Sequence, residues 1–141
     1  MKFAGVNYLA IALAGIAAWL TGALYYGLLG KAWLEAAGRS REDIRRSRGT
    51  PAFYLPFVLA AVANLIMAGV LAGIMGHLGP GRITLQNGVV SAVLVWLGFV
   101  VTTMTVNNAF GGRKAMLTAI DSGHWLAALV VAGAVIGIMG V

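Results

Sequence analysis

The 141-residue chain contains no cysteine. Disulfides, thiolate metal sites and thiol nucleophiles are therefore excluded. Acidic residues are nearly as scarce, with Glu35, Glu42, Asp43 and Asp121 forming the whole set. No serine has an evident base beside it, and no phosphate-loop, dinucleotide or zincin pattern occurs. The sequence thus points away from an enzyme and calls for no cofactor; if there were a reaction, His124 would be the one reasonable base. Of the two histidines, His77 is expected at one membrane face and His124 towards the other, so no metal site is expected within one chain.

Charge of either sign is sparse. Charged residues make up 10% of the chain against 60% hydrophobic, and the mean hydropathy is +0.90. Four long apolar windows cover residues 3–29, 51–76, 84–108 and 116–140. At about 1.5 Å rise per residue, each is long enough to cross a hydrocarbon core of about 30 Å. The expected fold is an all-α membrane protein, a single integral membrane domain over 1–141 with four transmembrane helices arranged as two antiparallel hairpins. The first window is too long for a signal peptide's apolar region and reads as an uncleaved span.

The net charge of +6 raises the question of a nucleic-acid partner. Its distribution answers against one. Lys31, Arg39, Arg41, Arg45, Arg46 and Arg48 share the connection 30–50, and Arg113 and Lys114 share the third connection. The positive-inside rule puts both connections in the cytoplasm and both termini outside, in a multi-pass protein of the cytoplasmic (inner) membrane. The basic loop has two readings: an orientation signal lying on anionic lipid headgroups, or a docking surface for an acidic partner.

Local signals punctuate the spans. Thr50-Pro51 reads as an N-cap with proline in the first turn, and Pro56 as a later start or a kink. Gly79-Pro80-Gly81 reads as a tight turn. Ser40 followed by Asp43 resembles a capped short helix. Tyr25, Tyr26, Lys31 and Trp33 are expected to anchor the first span at the inner interface, with Gly27 and Gly30 letting the chain turn there. Trp19 and Trp96 fall near mid-span and are assigned to bundle packing.

Small residues recur four apart at Gly69 and Gly73, and again at Gly133 and Gly137, a spacing that lets helices approach closely. The surrounding stretches Ala68–Gly76 and Ala132–Gly140 match at six of nine positions, which raises an internal duplication. Polar residues within spans are the candidates for function. Asn64, Thr102, Thr105, Asn108, Asp121 and His124 could line a polar cavity open to the cytoplasm, with Asp121 and His124 as a protonatable pair. The competing reading is an interhelical hydrogen-bond cluster, His124 bonded to Asp121 and the threonines bonded back to their own helix.

Asn7–Ala10 (NYLA), Gly22–Leu34 (GALYYGLLGKAWL), Trp96–Phe99 (WLGF), Asn108–Lys114 (NAFGGRK) and the stretch IDSGHW ending at Trp125, in that order, resemble a bacterial family of small four-span membrane proteins catalogued as a domain of unknown function, DUF seventeen-sixty-one. The resemblance covers nearly the whole chain; Tyr25 stands where tryptophan is more usual. It implies fold and location and supplies no active site. Two functions therefore stay open: a structural or accessory subunit that self-associates or joins a larger membrane complex, or a small-solute or proton-coupled transporter or channel.

Overall fold

The computed structural model describes residues 7–79 and 81–141. Lys2, the start of the first window at Phe3 and Pro80 lie outside the described residues. Among the described residues four helices are long and apolar enough to cross a membrane: Tyr8–Ala37, Pro51–Gly76, Leu85–Phe110 and Ala115–Met139, the first to fourth spans. A short loop helix, Arg41–Ser47, lies between the first two.

The first span runs well beyond the expected boundary at residue 29. Gly27 and Gly30 sit inside the helix and do not turn it, because Lys31, Trp33 and the residues to Ala37 continue the backbone ladder. The turn comes at Gly38, whose φ of 66° is the left-handed value that glycine adopts without strain, and whose N–H bonds to the Leu34 carbonyl. Asn7 caps the other end by accepting from the Ala10 N–H at 3.0 Å, and its amide donates to the Met139 carbonyl at 3.3 Å. The loop helix has the predicted capping box: Asp43 N–H donates to Ser40 Oγ at 3.1 Å, and Ser40 N–H returns a bond to Asp43 Oδ2 at 3.0 Å. The second span opens at Thr50-Pro51 as expected and runs through Pro56 without a break. The Thr50 side chain does not cap it; its hydroxyl donates to the Ser47 carbonyl instead.

The third span is one helix with a wider π-helical segment at Trp96–Val101 in its middle. It is the least buried of the four spans, with 6% of its most apolar window covered by the rest of the chain, against 44% for the fourth span. The fourth span is the hub. It packs along the first and third spans, and more lightly on the second. The shared core is made largely of small residues: Ala14, Ala18, Ala68, Ala72, Ala92, Ala128 and Ala132 surround Leu71, Met75, Leu129 and Ile136. Alanine at the crossings lets helices come close enough for dispersion contacts to accumulate, which matters where lipid removes the hydrophobic drive between helices.

The two glycine pairs have different fates. Gly133 lies against the Gly88 carbonyl and Ala92 of the third span, and Gly137 lies against the Thr84 carbonyl and Leu85, so any Cβ there would collide with backbone. Gly73 has nothing within 4 Å of where its Cβ would be, and Gly69 meets only Ile11 Cγ2 at 3.9 Å. Similar sequence in the two segments therefore does not produce similar packing. Trp96 acts in the bundle as expected, its indole N–H donating to the Ser122 carbonyl at 2.7 Å. Trp19 sits at the bundle's edge and donates to the Phe57 carbonyl at 3.2 Å.

Candidate functional site

The six polar residues singled out in the spans do not share one surface. Thr102 and Thr105 are exposed on the third span, where their hydroxyls donate to the Gly98 and Val101 carbonyls one turn back. Backbone-directed bonds of this kind let threonine face an apolar medium with its hydroxyl satisfied. Asn64 is buried on the second span and donates to the Ala60 carbonyl at 2.8 Å, again along its own helix. Asn108 reaches across to the fourth span, donating to Thr118 Oγ1 at 2.9 Å and tying together the two sides of the Gly111–Lys114 connection.

Asp121 and His124 do come together, with partners the sequence had placed elsewhere. Tyr26 Oη donates to Asp121 Oδ1 at 2.7 Å, and Trp33 Nε1 donates to the same oxygen at 3.0 Å. The residues read as interface anchors thus hold an intramembrane carboxylate from the neighbouring helix. Among the described residues no hydrogen bond joins Asp121 to His124, although three positions separate them. The imidazole instead packs among rings, with centroids 4.8 Å from Tyr26, 4.8 Å from Trp125 and 5.9 Å from Tyr25. His124 is 6% exposed, and its Nδ1 is buried without a hydrogen-bond partner.

Glycines on both helices make this interleaving possible. A Cβ at Gly22 would stand 2.6 Å from His124 Nε2, and a Cβ at Gly123 would stand 2.6 Å from Tyr25 Oη. Each ring lies in the notch that the facing glycine leaves open. Beneath them Leu117, Ile120 and Ala36 form a small apolar base with Trp33 and Tyr26. Sequence reasoning paired Asp121 with His124 by helical spacing. It missed Tyr25, Tyr26 and Trp33 as members of the cluster because about 90 residues separate them from the fourth span and their position already had an explanation at the interface.

The arrangement fixes a carboxylate with two neutral donors and shields an imidazole behind aromatic rings. Among the described residues no three His, Cys, Asp or Glu side chains come together to hold a metal ion. At the same end of the molecule the basic third connection meets the last turn of the first span, Lys114 Nζ donating to the Glu35 carbonyl at 3.0 Å.

Four apolar helices packed through alanine and glycine, with most of their polar side chains bonded to backbone or to one another, define a multi-pass membrane protein. The chain belongs to a family whose description is "Protein of unknown function (DUF1761)", which matches residues 9–137. No curated protein and no solved structure matches it.

Proposed function

We propose that this chain is a small accessory protein of the inner membrane that works by assembly, with no reaction of its own. Its spans form two hairpins with both termini outside, and copies associate through the Gly69–Gly73 face of the second span. One observation carries the reading: of two small-residue pairs with the same spacing, Gly133 and Gly137 are used up against the third span, whereas Gly69 and Gly73 face outward. Together with Ile66, Val70, Ile74 and His77 they line a shallow, mostly apolar groove of about 640 Å³. In lipid, such a strip gains from close approach of another helix, and a second copy brings the same strip. The topology draws support from Lys114 of the third connection bonding to Glu35 at the end of the first span, which leads into the basic loop, so that both basic segments lie at one end.

Transport draws less support, because Thr102 and Thr105 are exposed and bonded to their own helix while His124 is buried against the first span.

The test is native mass spectrometry of gently extracted protein, comparing wild type with the double substitution Gly69→Leu and Gly73→Leu. A Cβ meets nothing within 4 Å at Gly73 and only Ile11 Cγ2 at 3.9 Å at Gly69, so the substituted chain is expected to keep its own fold, which the unfolding midpoint checks. Loss of a homo-oligomeric mass with an unchanged unfolding midpoint supports the reading. Assembly like wild type overturns it. A heteromeric mass replaces self-association with a partner subunit.

A further inference from the structure

Two helix faces look at each other across a groove of about 520 Å³ at the basic end. The first span contributes Tyr26, Gly27, Gly30, Lys31, Trp33 and Leu34, and the loop helix and its end contribute Arg41, Ile44, Arg45 and Arg48. The spacing of 41, 44, 45 and 48 puts the three arginines and the isoleucine on one side of a helix. Gly27 and Gly30 have nothing within 4 Å of where a Cβ would stand, which leaves the groove open beside Lys31.

The groove is cationic, and among the described residues Arg45 alone of its four cations has a carboxylate partner. None of its lining residues is acidic. Glu42 pairs with Arg45 at 3.0 Å and with Arg46 at 3.5 Å, and Asp43 is engaged by Ser40. Among the described residues Lys31, Arg41 and Arg48 make no ion pair. Guanidinium groups bind phosphate oxygens in a two-pronged geometry, and an ammonium adds a point charge.

The apolar surroundings indicate where the phosphate comes from. Leu24 and Leu28 precede Lys31 on the same side of the first span and are 71% and 85% exposed, an uncovered track leading from the groove into the region of the apolar window. Trp33, Leu34 and Ile44 form the apolar part of the wall. A soluble phosphate ester would use the cations alone, whereas a lipid would use both parts.

We propose that this groove binds one anionic phospholipid headgroup from the leaflet it faces, the phosphate held by Lys31, Arg41 and Arg48 and the acyl chains lying along Leu24 and Leu28. The site differs from diffuse attraction to a charged surface in being saturable, one lipid per chain, and specific to three of the ten basic residues. It lies apart from the Gly69–Gly73 strip, so either proposal can fail without the other.

The experiment titrates phosphatidylglycerol into detergent-solubilised protein and counts bound lipids by native mass spectrometry, with phosphatidylcholine as the neutral comparison. A triple variant K31Q/R41Q/R48Q is set against R39Q/R46Q/R113Q, which removes the same charge outside the groove, and against Gly30→Leu, which fills the groove without altering charge. The expected result is one saturable phosphatidylglycerol adduct per chain. The groove triple removes three charge-assisted contacts to the phosphate and weakens binding by on the order of a hundredfold or more, while the outside triple, which touches no phosphate, stays within about threefold. Gly30→Leu also abolishes the adduct. Equal losses in the two triples, or no preference over phosphatidylcholine, overturn the proposal. Competition by glycerol 3-phosphate at the same concentration as the lipid overturns the lipid source in favour of a soluble phosphate ester.

Discussion

Gly22 and His124 fit one another across the interface of the first and fourth spans: the imidazole Nε2 lies 2.6 Å from the point a Cβ at position 22 would take. Both residues are buried, and the ring is enclosed on its other sides by Tyr25, Tyr26 and Trp125. The imidazole therefore has little room to yield to an added methyl.

Gly22→Ala is accordingly expected to destabilise the bundle by about 1–3 kcal/mol, the usual effect of forcing a carbon into a filled site. Thermal unfolding in detergent measures it. Restoration of stability by adding His124→Ala to Gly22→Ala would identify the imidazole as the obstacle, and an unchanged midpoint for Gly22→Ala alone would contradict the fit.

Tyr26 and Trp33 share a single acceptor, Asp121 Oδ1. Tyr26→Phe is expected to cost about 1 kcal/mol, as for interhelical hydrogen bonds within membranes, with Trp33 left on the carboxylate. Asp121→Asn keeps an acceptor oxygen and should be milder than Asp121→Ala. A double-mutant cycle between positions 26 and 121 reads the coupling directly, and a value indistinguishable from zero would mean the contact contributes nothing.

The Ser40 hydroxyl, and then the Ser40 backbone N–H, hold the Asp43 carboxyl below its ordinary value of 3.8. A depressed carboxylate supports the folded loop helix in full above its unfolded value, and that support is lost as pH falls through the lower, folded value. The protection of the amides in Arg41–Ser47, after correction for the intrinsic pH dependence of exchange, should therefore be unchanged down to about pH 4 and fall below it. Ser40→Ala should move the Asp43 titration, followed by carboxyl NMR, back upward. A titration at or above the ordinary value in the wild-type chain would refute the capping box.

The presence of four spans was readable because apolar runs of this length have few other uses, although the first continues to Ala37 past its expected end at residue 29; Thr50-Pro51 and Ser40–Asp43 were readable because they are local. The order of packing was not. Nothing in the fourth window distinguishes it as the hub, since its alanines and glycines resemble those of the second; what decides is which carbonyls lie opposite Gly133 and Gly137. Thr102 and Thr105 fitted either a cavity lining or bonds back to their own helix, and the second is what the fold has; a hydroxyl satisfied in that way leaves its polarity silent about which way the helix faces. Tyr26 and Trp33 had an adequate explanation at the interface, and only the fold brings the Asp121 carboxylate to them.

The π-helical segment at Trp96–Val101 behaves like a one-residue insertion in the third span. One residue corresponds to about 100° of rotation in an ordinary helix. Upstream of it Gly88 and Ala92 are phased onto Gly133, and downstream Asn108 is phased onto Thr118. Neither phase follows from the other in an uninterrupted helix, so the segment acts as a coupling between two gears cut to different angles. Deleting one residue from Trp96–Val101 would keep the length needed to cross the bilayer yet let only one of the two contacts mesh.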